Sequence, residues 1–338
     1  MITRTDAERS QYRNVWVVAE LRPGRVEAVT YELLGAGRKL ADARGCQLWC
    51  VLLGKGTAEL AGECIVRSAD VALVVDDGQL EHFVDATHAS VLAGLIRKHK
   101  PEIVLCGATA RGRALIPRVA VQIHAGLTAD CTGLEIEPDT GLLLQTRPAF
   151  GGNIIATIKC SDHRPQMATV RPRVMAEAAI DRARTGRVLR EPFPSGCASV
   201  LARVVEVIRD TSETVHLADA SFIVAGGRAM GGRKGFDLLR SFAELVGGAV
   251  GASRAAVDAG WIDYSHQVGQ TGTTVQPKCY LACGVSGQIQ HLVGMQSADL
   301  IIAIDKNPQA PMMKLADYAI EGDVFEVIPA MMEEIRRL

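Results

Sequence analysis

Between Gln267 and His291 the chain reads QVGQTGTTVQPKCYLACGVSGQIQH, which sets glycine amides, threonine hydroxyls and a closing histidine around short apolar stretches. Four loops share this character: SHQVGQTG after Tyr264, Gly226-Gly227-Arg228-Ala229-Met230-Gly231-Gly232 after FIVA, GGAVGASR ending at Arg254, and Gly284-Val285-Ser286-Gly287 after LAC. Glycine lets a backbone approach a phosphate closely, and the amides opening a following helix point at the anion. One such loop is ordinary turn chemistry, because glycine most often just terminates an element. Four in one half of a chain point to a dinucleotide. Arg228, Ser253, Arg254, Gln267, Gln270, Thr271, Ser286 and His291 lie on these loops and offer donors along an extended ligand. A flavin dinucleotide needs that set: its pyrophosphate takes amides and arginine, and reduction puts negative charge on a ring edge that donors stabilise.

Other chemistries find less support. The Gly227 to Lys234 stretch lacks the Gly-Lys-Ser/Thr ending of a Walker A loop, and no G-x-G-x-x-G follows the first strand of the second half. Neither Ser195 nor Ser286 sits in G-x-S-x-G, so a hydrolase reading has nothing to stand on. No metal site is expected. The nine cysteines include no C-x-x-C, Cys46/Cys50 and Cys279/Cys283 being four apart, and they read as reduced core thiols. His163, His82 and His88 are expected on loop and helix surfaces, since no Asp, Glu or Cys cluster stands at ligand spacing.

The elements that must hold the glycine loops follow from apolar patterning. VWVVA (15–19), LWCVLL (48–53), VALVV (71–75) and EIVLCG (102–107) read as buried strands, alternating with helices whose apolar residues recur at three and four spacing. That is the signature of βαβ units and a parallel sheet. From 131 to 170 the turn Pro138-Asp139-Thr140-Gly141, NIIATIK and QMATVR predict antiparallel strands added to the sheet. DRARTGRVLREPFPSG (181–196) reads as a linker whose four arginines are a solvated face or a binding stripe. A second α/β series begins with VLARVVEVI near Val200 and continues through FIVAGG, CYLACG and DLIIAI to a closing helix from Val324. The expected fold is therefore α/β in two domains. Residues 1–199 form a nucleotide-fold-like parallel sheet with added antiparallel strands, and 200–338 a doubly wound FAD-binding domain.

Composition sets the outer limits. At 338 residues two cores are the default. A hydrophobic fraction of 48% with 22% charged residues is that of an ordinary globular protein. Aromatics at 4% and a formal net charge of -1 exclude a stacking platform or a general field for nucleic acid. No apolar run approaches the ~20 residues of a bilayer span. The polar N-terminus MITRTDAERSQYRN lacks the apolar region of a secretory signal, so a cytoplasmic protein is expected.

The long motifs VGASRAAVDAGW, QVGQTGTTVQPKCYLACGVSGQIQH and NPQAPMMKLADYAIEGDVFEVIP resemble the α subunit of electron transfer flavoproteins. YELLGAGRKLAD, CGATARGRALIPRVA and GLTADCTGLEI resemble the N-terminal domain of the same family, so the likeness covers nearly the whole chain. The resemblance implies a heterodimer with a β subunit and one FAD in the C-terminal α domain. Electrons would be shuttled to acyl-CoA or 2-hydroxy-acid dehydrogenases. It also implies site residues: Arg228 at the FAD phosphates with Ser253 nearby, Arg254 over the isoalloxazine ring, and Gln267, Val268, Gly269, Gln270 and Thr271 holding the flavin, with the Thr271 hydroxyl near N5. Ser286, Gly287, Gln288, Ile289, Gln290 and His291 would wrap the ribityl and ring side, His291 donating toward O2, while Asp305, Asp323 and Val324 would meet the adenosine. Arg254, Thr271 and His291 are the residues expected to tune the chemistry. A unit charge ~4 Å away at an effective dielectric of ~20 is worth ~4 kcal/mol, on the order of 170 mV for one electron.

Two departures stand out. Ile304-Asp305-Lys306-Asn307 exchanges the amide and carboxylate of the family's usual Ile-Asn-Lys-Asp, and Ala229 replaces the last glycine of its GGRG loop. QTRPAFGGNIIATIKCSDHRPQMATVRPRVM (145–175) resembles the electron-bifurcating members. There the β subunit carries a second FAD in place of AMP and oxidises NADH, with ferredoxin or flavodoxin as a further acceptor. The two α/β halves alone would also permit a nucleotide-binding structural or sensory subunit without electron transfer.

Overall fold

The computed structural model describes residues 5–149, 154–197, 202, 204–207, 217 and 220–337. The chain divides into two compact units, Met1–Val207 and Ile208–Leu338. The expected boundary between residues 199 and 200 touches positions outside the described residues.

In the first unit, besides the two-residue antiparallel pair Leu21–Arg22 and Arg25–Val26, the strands are β1 (Val15–Val18), β2 (Leu48–Gly54), β3 (Val71–Asp76), β4 (Ile103–Gly107), β5 (Leu127–Cys131), β6 (Gly133–Ile136), β7 (Leu143–Ala149), β8 (Ile154–Ile158), β9 (Gln166–Val170) and β10 (Arg187–Arg190). Seven form a parallel sheet in the order β10-β3-β2-β1-β4-β9-β5. Alternation assigns the side chains to two cores. Val15, Val17, Leu48, Cys50 and Leu52 meet Leu33, Leu34 and Leu40 of helix α1 (Ala28–Arg44). Trp16, Val18, Trp49, Val51 and Leu53 meet helices α2 (Asp85–His99) and α3 (Ala110–Ile123) on the other face. Burial on both faces is why these strands read as unbroken apolar runs. Each large side chain so buried contributes about 1.5–3 kcal/mol.

The structure corrects three placements in this half. The antiparallel strands do not extend the parallel sheet; β8-β7-β6 form a separate three-stranded sheet, joined at β6 and β7 through the expected turn at 138–141. Residues 166–170, all buried, instead enter the parallel sheet between β4 and β5. Part of the expected linker is also sheet. Arg187–Arg190 pairs in parallel with β3 at the open edge, and Arg184 reaches Asp70 at 2.6 Å. Finally, His88 is buried rather than on the helix surface, with its ring 5.0 Å from that of Phe83 and Nδ1 3.0 Å from the Val84 carbonyl. All nine cysteines are free and five are buried; burial pushes the Cys106 and Cys131 thiols up to about 12.

The second unit is built on β11 (Phe222–Gly226), β12 (Ala249–Ala252), β13 (Cys279–Cys283), β14 (Ile301–Asp305) and β15 (Tyr318–Glu321), all parallel in the order β12-β11-β13-β14-β15. One face packs Val224 and Leu281 against Phe236, Leu239 and Phe242 of α4 (Arg233–Val246), with Ile328 from the C-terminal helix Val324–Arg337. Helix α4 ends at Gly247, whose left-handed φ of 64° lets Gly248 donate back to the Ala243 carbonyl at 2.8 Å. The other face sets Ile223, Ala225, Tyr280 and Ala282 against Met295, Met312 and Met313. The expected VLARVVEVI strand falls partly outside the described residues, and Val204–Val207 carry no regular element. No described helix is long and apolar enough to cross a membrane.

Candidate functional site

Numbered within the second unit, the strand order is 2-1-3-4-5, which reverses between β11 and β13. In an open parallel sheet a ligand binds at such a switch point, outside the strands' carboxyl ends. All the sequence-predicted site residues lie along that edge or on the loops it supports. From β12 to β15 the edge is four strand spacings, about 19 Å at about 4.8 Å each.

At the switch point the loops meet backbone to backbone. The Gly227 amide donates to the Cys283 carbonyl at 2.9 Å, and a Cβ on Gly227 would lie 1.9 Å from the Gly284 carbonyl oxygen. Only glycine fits there. Arg228 follows, exposed, on the 3-10 turn Arg228–Met230, which Met230 anchors in the core. Beyond β12 the Ser253 amide donates to the Gly226 carbonyl at 2.9 Å, holding Ser253 beside the same crevice. Arg254, the first residue of α5 (Arg254–Asp258), is 69% exposed and pairs with Asp258 at 3.2 Å.

The 267–273 loop is tied to its surroundings on both sides. Val268 donates to the Ala252 carbonyl at 3.0 Å, and Gln270 to the Gln290 carbonyl at 2.7 Å. Gly269 has a φ of 139°, and a Cβ there would stand 2.8 Å from Gln290 O. Gln267, buried, donates from Nε2 to Thr271 Oγ1 at 2.9 Å, which uses that hydroxyl as an acceptor and leaves its hydrogen to donate elsewhere. Tyr264 donates its phenol to the Thr271 carbonyl, a support that sequence reasoning missed.

After β13, Ser286 is exposed and Gly287 turns at a φ of 80° against the Met312 amide. Gln288 opens the short helix α6 (Ile289–Leu292), accepting from the His291 amide at 2.8 Å. Gln288, Ile289 and Gln290 are exposed, whereas His291 turns inward and is 7% exposed. Its Nε2 lies 2.9 Å from the hydroxyl of Tyr280. Burial pushes the imidazole down to about 4, with the Val268 carbonyl opposing that slightly. The ring is therefore neutral near pH 7 and acts as a dipole, not as the full charge that the 170 mV figure assumes.

At the far end, Asp305 accepts the Asn307 amide at 2.8 Å, and Lys306 reaches Asp323 at 2.7 Å. Asp323 also accepts from the Phe325 amide at the start of the C-terminal helix, while Val324 is buried. One oxygen of Asp305 is thus folded into its own turn. Lys306 was named within Ile304-Asp305-Lys306-Asn307 but not among the expected site residues, although its charge governs Asp323, whose carboxyl it holds below the ordinary value.

Two buried polar atoms on this edge have no hydrogen-bond partner: Ser253 Oγ and His291 Nδ1. A buried unmet group costs about 1–3 kcal/mol. One such atom on each side of a glycine-lined switch point is what a polar ligand would satisfy. These residues fit a dinucleotide whose phosphates take the Gly227 region and whose ring edge takes the imidazole. Among the described residues no group of three or more His, Cys, Asp or Glu is placed to hold a metal ion.

Comparison with known proteins gives a consistent picture. The family profile described as "Electron transfer flavoprotein domain" matches residues 15–195, and that described as "Electron transfer flavoprotein FAD-binding domain" matches 216–296. The electron transfer flavoprotein subunit alpha of Thermoanaerobacterium thermosaccharolyticum is 48% identical, covering 97% of this chain and 99% of the relative. The protein FixB of Rhizobium meliloti is 41% identical over 95% of this chain and 92% of its own. The acryloyl-CoA reductase electron transfer subunit beta of Anaerotignum propionicum is 40% identical over 98% and 97%.

Proposed function

The chain belongs to the electron transfer flavoprotein family as an α subunit with an FAD-binding C-terminal domain, and we propose that it serves a complex passing single electrons to an acyl-CoA or related dehydrogenase. Its partner is a β subunit. NADH is the donor, through a second FAD on that subunit, and ferredoxin or flavodoxin takes the other electron. The bound FAD supplies one-electron steps. The reading of the acceptor is supported by the acryloyl-CoA reductase relative, and that of bifurcation by the resemblance of residues 145–175.

The observation that carries the site is the pair of unmet buried atoms, Ser253 Oγ and His291 Nδ1, flanking the Gly227–Gly284 contact. Arg228 and Ser253 hold the phosphate region, and Arg254 lies over the ring. Residues 267–271 hold the flavin, Thr271 giving its free hydroxyl hydrogen near N5. Ser286 to His291 wrap the ribityl and ring side, His291 donating toward O2, while Asp305, Asp323 and Val324 meet the adenosine. Counting nucleotides released per αβ pair tests this. Two FAD are expected. One FAD with AMP would overturn bifurcation, and a colourless complex that takes up no FAD would overturn electron carriage itself.

A further inference from the structure

We propose that Tyr280 is a positioning residue that fixes which nitrogen of His291 carries the proton, so that Nδ1–H is the donor offered to the cofactor. The inference rests on the FAD site described above but concerns a residue which that reading leaves out. Tyr280 sits within strand β13, fully buried, and its hydroxyl lies 2.9 Å from His291 Nε2 with the rings edge-on at 62°.

Counting protons decides between two arrangements. A neutral imidazole carries one ring proton. Were it on Nε2, it would be donated to the phenol oxygen. The phenol hydrogen would then have no acceptor among the described residues, and Nδ1 would be a bare buried lone pair, leaving two groups unmet. With the phenol donating to Nε2, the phenol is satisfied and the proton sits on Nδ1. One group then remains without a hydrogen bond, and it is a donor; the Val268 carbonyl that opposes the fall in the ring's pKa does not meet Nδ1 as a hydrogen-bond partner. Burial holds the phenol's pKa well above its ordinary value, so it remains a donor whenever the protein is folded near neutral pH. The orphan is thus matched to an acceptor edge, such as the flavin carbonyl beside which negative charge gathers on reduction. A hydrogen bond to the second ring nitrogen sets tautomer and orientation in the same way at other histidine sites.

The experiment uses the αβ complex with FAD, labelled with 15N-histidine, and reads His291 by two-bond proton–nitrogen correlation near pH 7. The wild type should show Nδ1 protonated and Nε2 bare. Tyr280→Phe should move the proton wholly or partly to Nε2 while FAD content is retained. The midpoint of the one-electron step should fall by about 59 mV, an approximately tenfold loss of preference for the reduced flavin. The shift in Tyr280→Phe should also vanish on a His291→Gln background. Protonated Nε2 in the wild type, or an unchanged tautomer in Tyr280→Phe, overturns the proposal. Should Tyr280→Phe fail to fold, the wild-type spectrum alone decides. A complex lacking FAD would sink the cofactor reading instead, since the imidazole spectrum still reports on Tyr280.

Discussion

Each unit has a parallel sheet with a switch point at its carboxyl edge, and the two crevices are finished differently. In the first unit it lies between β1 and β4. There the Thr109 hydroxyl donates to Glu20 at 2.5 Å and accepts from the Gly112 amide at 3.1 Å, capping helix α3. Thr30 Oγ1 accepts the Glu20 amide at 2.9 Å. Burial raises the Glu20 carboxyl above its ordinary range, and Thr109 and Arg111 counter it. That crevice is closed on its own side chains. In the second unit the equivalent position leaves Ser253 Oγ and His291 Nδ1 unmet. Of the first unit's own unmet atoms, those on Arg38, Gln145 and Gln166 lie on other elements, whereas Thr57 Oγ1 follows β2 beside Gly54 and packs within the unit's own chain. Glycine is present at both switch points; around Glu20 the polar groups satisfy one another, whereas a hydroxyl and an imidazole nitrogen beside the second crevice do not.

The sharpest way to break this comparison uses two glycines in equally tight places. A Cβ on Gly227 would stand 1.9 Å from the Gly284 carbonyl oxygen, and one on Gly112 the same distance from that of Gly107. Gly227→Val should cost roughly 3 kcal/mol or more through backbone displacement, and flavin absorbance of the purified complex should fall below about a tenth. Gly112→Val should lower the melting temperature similarly while the folded fraction keeps its flavin. Equal flavin loss in both would erase the distinction.

A smaller effect follows from His291. In the unfolded chain its imidazole takes a proton near 6.5, in the fold only near 4. The unfolded state therefore binds the proton first as the medium is acidified. Stability is full above about pH 6.5 and lost progressively down to about pH 4, by about 3 kcal/mol. Thermal unfolding against pH should show this loss, and His291→Gln should flatten it. An undiminished slope in that variant would mean that other groups carry the acid sensitivity, His88 of the first unit being also depressed by burial.

The smallest effect is at Arg254. Its exposure and its pairing with Asp258 put it near the aqueous limit, where a charge ~4 Å away is worth ~1 kcal/mol. Arg254→Ala should lower the flavin midpoint by about 40 mV and cost no more than about 0.5 kcal/mol in stability. A shift near 170 mV would instead mean that the bound ring shields the guanidinium from water.

The frame of both units was legible because strands buried on both faces announce themselves: VWVVA, LWCVLL and FIVAGG are β1, β2 and β11. Sheet membership was not. A turn at 138–141 specifies that two strands pair but not which sheet they join, and the burial of Gln166–Val170 comes from β4 and β5, both far earlier in the chain. Arg187–Arg190 was read as a linker because an edge strand with polar ends carries no apolar run. The donors on the glycine loops could be read from residue type and position. Tyr280 could not, because a tyrosine inside a strand looks like core; its buried hydroxyl needing a partner was the available signal.

The strand Arg187–Arg190 has a consequence for dissecting the molecule. It seals the outer rail of the first sheet: Arg187 N bonds Asp70 O at 2.9 Å, and Glu191 N bonds Val74 O at 2.9 Å while its carboxylate takes Lys98 and His99. A fragment of the first unit cut before Gly186 would bare the amide and carbonyl row of β3, an invitation to strand-to-strand stacking between molecules. The natural scissor point therefore lies after Glu191, several residues past the place where the chain first looks like a tether.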